Sequence, residues 1–462
     1  MSYFKIILAA ICLLGNVLFS SPAFCETNLQ TLTNTSPLIN PDIIEVEKQI
    51  KQSNPELILE IARGIDALKQ YDFIPAIGFF KNAIDIAPYD PLAYIFLIKT
   101  FLTLGQEDEA YKVLEEAGHN RTNNDAIIAE LYTSLTEMLP PLDDSPLPLV
   151  SIAQFKNNKQ CAVSMVFDDG ELSVPTIIIP KLEEYGFTAT ISINPGLTPD
   201  DRSNPYRGNW EAWRKAKENG HEIANHGMNH QPLPGLTTQK LQIEVNDSLE
   251  IIKEKLGEAP LTFVFPEDET TPEITKFVEQ SHLVVRDHDF LAQVYKRVCL
   301  PVYGGKRFST QSAKMLTDIT IKRRLWLIKE YHGVINPLIH KSYKPVSPEF
   351  FTERLDYLKK NADKIWVGRF IDVYKYLKEQ KETRIDIKQS QKGKIIFSLS
   401  NSLDQTIYSY PLTIIINTAP SRPRQTKAVD LSNNTAIPVK IDGDKFYLDV
   451  VPSNKTIKVE WK

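Results

Sequence analysis

Two groups of polar residues in this sequence have the types and spacing of a hydrolytic centre. The first is Val166-Phe167-Asp168-Asp169-Gly170, where an apolar run from Cys161 to Phe167 ends abruptly in two carboxylates and a glycine. A buried parallel strand delivers acidic side chains to the mouth of an α/β domain in this way. The second is His226-Gly227-Met228-Asn229-His230, with two imidazoles four residues apart. A helical turn there would put both rings on one face, where they can share a metal ion. One carboxylate with two imidazoles leaves a coordination position open for water, as in hydrolytic rather than structural zinc sites. The other carboxylate is then free to act as a base. Each half alone has a plainer reading: Asp-Asp-Gly after an apolar run is a common tight turn, and a His-x-x-x-His spacing arises by chance. With only eight histidines in the chain, the grouping of His221, His226 and His230 together with the carboxylate pair carries the reading.

The segments Met165–Gly196 and Trp213–His230 resemble the first two motifs of the NodB-type polysaccharide deacetylases, carbohydrate esterase family 4. The similarity extends from about Cys161 to Gln380. It implies a distorted (β/α)7-type barrel and a metal-dependent hydrolase that removes acetyl groups from an N-acetylated polysaccharide or oligosaccharide. Such a reaction needs an activated water, stabilisation of the tetrahedral oxyanion and a proton for the departing amine. By the resemblance, Asp169, His226 and His230 hold a divalent metal ion, Zn2+ by preference, and Asp168 is the base. His332, at the end of the apolar run from Leu325, stands where the family carries its final histidine and would be the acid, with His340 as competitor. His221, just ahead of the ligand pair, reads as a packing residue or one that supports the ligands from behind.

The third motif departs from the family. Where Arg-x-Pro-Tyr is common, this chain has Val264-Phe265-Pro266-Glu267. A backbone donor at Glu267 could still meet the oxyanion, and its carboxylate, if inward, would favour a cationic or partly deacetylated substrate. The arginine that orients the base must come from elsewhere. Arg286, at the end of the next strand-like run, is the candidate, against an ordinary surface salt bridge. Two other functions stay open: an O-acetyl esterase on xylan-like glycans, and a catalytically silent glycan-binding or assembly protein.

The elements that must position these residues can be read along the chain. At 462 residues, with 42% hydrophobic and 24% charged residues, it is globular and multidomain. A formal charge of −5 without a Lys/Arg-rich block argues against nucleic acid as a partner. Residues 1–25 read as a signal peptide: Lys5, an apolar stretch from Ile6 to Phe19, then the small residues Ser21 and Ala23. An uncleaved anchor is the alternative. No other segment approaches the ~20 apolar residues of a membrane span, so the working domains are expected outside the cytoplasm, periplasmic or extracellular.

Residues 45–138 show a period of 34: Ala76, Phe80 and Ala83 recur as Ala110, Leu114 and Ala117, and Tyr71 as Gly105. This resembles tetratricopeptide repeats, which would offer a face to a protein partner; a plain helical hairpin domain is the alternative. Residues 139–150 (LPPLDDSPLPLV) form a proline-rich linker. Alternating strand and helix patterns over 151–382 imply a parallel sheet. Short strands between turn formers over 384–462 imply an all-β sandwich, either a carbohydrate-binding module or a packing domain. Cys161 and Cys299 read as buried free thiols, with a bridge permitted by export.

Overall fold

The computed structural model describes residues 55–70, 72–88, 90–103, 148–201, 204–286, 299–302, 310–334, 342–343, 345–453 and 455–462, with the single residues 109, 112, 113 and 116. The signal segment, the linker up to residue 147, Gly105, Ala110, Leu114, Ala117 and His340 lie outside them. The chain divides into two compact units, Met1–Leu135 and Thr136–Lys462.

The first unit contains helices α1 (Pro55–Lys69), α2 (Phe73–Ile86) and α3 (Pro91–Thr103). Ala76, Phe80 and Ala83 of the expected period are fully buried on α2. Phe80 stacks on Phe96 of α3 with ring centroids 5.3 Å apart.

The second unit holds a parallel sheet. Its strands are β2 (Cys161–Phe167), β3 (Thr190–Ile193), β4 (Glu222–Asn225), β5 (Thr262–Val264), β6 (Val284–Arg286), β7 (Cys299–Val302), β8 (Trp326–Tyr331) and β9 (Ile365–Val367). The order is β6-β5-β4-β3-β2-β8-β7, with β9 also on β2. Every pairing is parallel. This is the sheet of a distorted (β/α) barrel, and the distortion has a specific place. β3 pairs only with Val166 and Phe167, whereas β9 pairs with Cys161 to Val163, so two strands share one edge of β2. All seven residues of β2 are buried, which explains its unbroken apolar run. Between the strands lie α4 (Ile179–Tyr185), α5 (Trp210–Glu218), α6 (Ser248–Leu256), α7 (Pro272–Val278), α8 (Thr310–Arg323), α9 (Pro348–Lys360) and α10 (Phe370–Glu382). Several start on side-chain caps, such as Asn209 Oδ1 accepting from Ala212 N at 3.0 Å. The register sets Cys299 opposite Trp326 and Trp326 opposite Ala162, so β8 separates the two cysteine-bearing strands. Two strand spacings of ~4.8 Å exceed the reach of a disulfide. Cys161 is a buried free thiol.

Two antiparallel sheets complete the unit. One has the order β10-β11-β17-β13-β14 and the other β1-β12-β16-β15. Here β10 is Arg384–Gln391, β11 Lys394–Ser400, β12 Leu412–Asn417, β13 Thr426–Asp430, β14 Thr435–Ile437, β15 Lys440–Asp442, β16 Lys445–Val450 and β17 Thr456–Trp461. The strand β1 (Val150–Ile152), which precedes the barrel in sequence, pairs with β12. Alternate residues of β11 and β16 are buried, as one-sided packing requires. One apolar core runs from Phe263 and Trp326 through Phe370 and Tyr376 to Ile395, Ile414 and Phe446. The packing-domain reading expects such a shared core. Tyr376 of α10 fixes the join by donating its hydroxyl to Ala153 O at 2.9 Å.

His282, between α7 and β6, is buried. Desolvation depresses its pKa to about 4, and its Nε2 lies 3.1 Å from Asn225 Nδ2. The unfolded chain binds this proton near pH 6.5 and the folded chain does not, so stability should fall as pH drops from about 6.5 towards 4. The depression corresponds to about 3 kcal/mol. Thermal midpoints against pH should show this loss in the wild type and a shallower one in His282→Gln. Parallel curves would exclude His282 as the cause.

Candidate metal centre and active site

The carboxylate pair leaves the barrel where β2 ends. Asp168 N donates to Tyr331 O at 2.8 Å, holding the turn against β8. Asp169 and Gly170 then take positive φ values of 70° and 57°. A Cβ at residue 170 would come within 3.2 Å of Ile193 and 3.3 Å of Trp213, so the glycine meets both a conformational and a steric demand. This reversal sends the two aspartates to different neighbours.

Asp169 faces the histidines. His230 Nε2 is 3.1 Å and His226 Nε2 3.5 Å from Asp169 Oδ1, and the two ring centroids are 4.8 Å apart. The helical turn expected there does not form: residues 226–230 are loop. Gly227 at φ 75° and His230 at φ 58° bend the chain so that the rings converge. Glu244 anchors this loop by accepting from Asn229 N at 3.0 Å, and Asn225 Oδ1 accepts from Gly227 N at 3.0 Å. His226 Nδ1 lies 2.8 Å from Val264 O. A carbonyl only accepts, so Nδ1 carries the hydrogen and Nε2 presents a lone pair to the carboxylate. Asp169 Oδ1 is itself buried, and no well-aligned hydrogen bond reaches it. Two oxygen and nitrogen lone pairs at this distance repel unless a cation lies between them. The three donors therefore fit a divalent metal ion. Burial opposes the charge on Asp169; with the rings protonated instead, the two imidazoles would hold its carboxyl far below the usual range, the role a cation takes when they are neutral. Burial likewise opposes charge on His230, and Asp169 outweighs it and raises that ring.

Asp168 faces the barrel interior, 2% exposed. Its Oδ1 accepts from Ser192 Oγ and its Oδ2 from Arg286 Nη2, both at 2.6 Å. Arg286 thus pairs with Asp168 in the interior, and the surface salt bridge considered for it does not occur. Its Nη1 donates to Glu330 Oε2 at 2.8 Å, and Asp268 Oδ1 lies 3.6 Å from Nη2. His332 follows β8, with Nδ1 3.7 Å from Glu330 Oε1. Asp168, Glu330 and His332 form a second group that could hold a metal ion. The guanidinium already occupies both carboxylates, and a dication ~4 Å from it would meet several kcal/mol of repulsion at an effective dielectric of about 20. The cation of that group is Arg286.

Glu267 is exposed, on a turn where it and Asp268 adopt φ of 58° and 56°. It does not join the buried cluster, although its charge raises His230. His221 is buried at the start of β4, where Nδ1 accepts from Ala189 N at 3.2 Å; it packs, as expected. Ser192, Glu330 and Asp268 were missed by sequence reasoning. Nothing marks Ser192 or Asp268 in the chain. Glu330 was detectable only as one of two adjacent charges, with Lys329, in the largely apolar run ending at His332.

The polysaccharide deacetylase family model matches residues 155–284, which include both aspartates and the His226/His230 pair. The chain carries a polysaccharide deacetylase domain. That domain is one of a hydrolase. Arg286, Glu330 and His332 lie beyond the matched residues, so their placement rests on the geometry alone. A gellan lyase from Bacillus sp is 21% identical over 285 residues, 57% of this chain; the match spans 11% of that relative's length. Among solved structures, a family 4 carbohydrate esterase from Streptomyces lividans in complex with acetate is 16% identical, with TM-score 0.33, covering 46% of this chain and 93% of that one. A family 4 acetyl xylan esterase from Clostridium thermocellum with a cobalt ion is 18% identical, with TM-score 0.31, covering 46% and 90%. The peptidoglycan deacetylase PdaC from Bacillus subtilis is 16% identical, with TM-score 0.32, covering 49% and 95%.

Proposed function

We propose that this deacetylase domain removes acetyl groups from an N-acetylated polysaccharide or oligosaccharide, with a divalent ion, zinc by preference, held by Asp169, His226 and His230. The observation that carries the reading is the buried Asp169 Oδ1 faced by two imidazole Nε2 atoms, next to an Asp168 locked by Arg286. Such an ion, when bound, would polarise the acetyl carbonyl and lower the pKa of a water towards ~7. Asp168, held by Ser192 at Oδ1 and by Arg286 at Oδ2, takes a proton from the attacking water. His332 gives a proton to the departing amine nitrogen, which leaves only when protonated. The retained histidine acid favours the amide over an O-acetyl ester.

The proposal extends to an exported protein, on the strength of residues 1–25, and to the helical unit as a docking element for a protein partner. Among the described residues no helix is long and apolar enough to cross a membrane. The test is released acetate from a panel of N- and O-acetylated glycans, measured with metal content on the same sample. Acetate from N-acetylated glycans together with a stoichiometric ion is expected. Acetate from O-acetylated xylan alone would replace the substrate class. A metal-free protein with no turnover would favour a silent binding protein.

A further inference from the structure

We propose that Glu330 is a positioning residue that couples the two proton-transfer ends of the site, one oxygen fixing the arginine that holds the base and the other fixing the imidazole that serves as the acid. The inference rests on the roles assigned above to Asp168 and His332, and adds a residue to which those roles assign nothing.

The strand geometry selects Glu330. Along β8, Tyr331 turns to the helix side, where its ring stacks on Phe167 at 5.2 Å and meets Phe351 of α9 at 5.9 Å. Glu330, on the opposite face by the period of two, turns inward to Arg286 on β6. The guanidinium spans two carboxylates, with Nη1 on Glu330 Oε2 at 2.8 Å and Nη2 on Asp168 Oδ2 at 2.6 Å. The other oxygen, Glu330 Oε1, lies 3.7 Å from His332 Nδ1. That nitrogen is buried and forms no hydrogen bond. A contraction of under about 1 Å would close the bond at ordinary N–H···O length.

An anion at Nδ1 fixes the ring's hydrogen there and stabilises its protonated form, leaving Nε2 to hand a proton to the leaving nitrogen. Burial opposes the charge of Glu330, but Arg286 and His332 outweigh it and hold the carboxyl below its ordinary range. The other groups facing His332 are the Tyr343 ring, at 4.8 Å, and the carboxylate of Glu171. Glu171 already accepts from Ser342 Oγ. Glu330 is therefore the carboxylate placed to serve both arms.

A salt bridge that only supported the barrel would affect every substrate alike; a coupling residue would not. The test is a double-mutant cycle read on two substrates, an N-acetylglucosamine oligomer and 4-nitrophenyl acetate, with the metal-loaded full chain. Glu330→Gln is expected to lower kcat on the amide by about 10²-fold and on the ester by about tenfold, the ester loss reporting the arginine arm. In a His332→Ala background, Glu330→Gln should lower the amide rate by no more than its ester factor. An unchanged factor in that background, or equal factors on both substrates, overturns the coupling. Should Glu330→Gln not fold, Glu330→Asp, which keeps the charge and withdraws it by one methylene, is read by the same criteria. A wild-type protein inactive on both substrates overturns the deacetylase reading itself, and is told apart by having no rate from which to build a cycle.

Discussion

Asp168→Asn is expected to bind its metal ion at wild-type stoichiometry while losing turnover by about 10²–10⁴-fold, the range for a missing general base. The amide fits the same space and can still accept from Ser192 Oγ, 2.6 Å away in the wild type. It cannot take a proton from water, and it no longer offers Arg286 an anion. Arg286 keeps Glu330 at 2.8 Å and Asp268 at 3.6 Å as partners, so the buried guanidinium is not abandoned; leaving it without any carboxylate would cost about 3–5 kcal/mol. Asp169→Ala, His226→Ala and His230→Ala should behave oppositely and lose the ion, since three ligands leave no redundancy. Metal content after dialysis, set against acetate release, separates the two classes. Loss of metal from Asp168→Asn would mean that the two aspartates are interchanged. Full occupancy in any of the other three would remove that residue from the centre.

His332→Ala should cripple amide cleavage by about 10²–10⁴-fold while leaving an activated acetyl ester nearly unaffected. An amine departs only once protonated, whereas a stabilised phenolate departs without help. The prediction draws on the placement of the ring, 8% exposed at the end of β8 and beside the carboxylate that holds Arg286. Equal losses on both substrates would make His332 a packing residue.

The two parts of the centre differ in how visible they were before folding. The Asp168-Asp169 pair and the His226/His230 pair were legible because each is local: a strand end and a five-residue loop keep their members together in any register. The way the histidines converge was not legible. A spacing of four suggests a helix, but the chain uses positive φ at Gly227 and His230, stabilised by the adjacent Asn225 and by Glu244 from another segment. Arg286 could be nominated from its strand end but not assigned. Only the order β6-β5-β4-β3-β2-β8 of a curved parallel sheet brings its guanidinium between Asp168 and Glu330.

The sandwich shows the same division. Its strands β11, β12, β16 and β17 were visible from alternation and turn residues. The addition of β1, from the far side of the barrel in sequence, was not.

The sequence by itself marked the candidate site, because paired carboxylates and paired histidines are residue types at short spacing. It also determined the alternating architecture, because hydrophobic periodicity is written locally. Tertiary structure alone decided which cation pairs with Asp168 and Glu330, and that barrel and sandwich share one core. Those are contacts between residues 40 or more positions apart, such as Arg286 with Glu330 and with Asp168. Their energies depend on burial and on distances of a few ångströms, which no local pattern encodes.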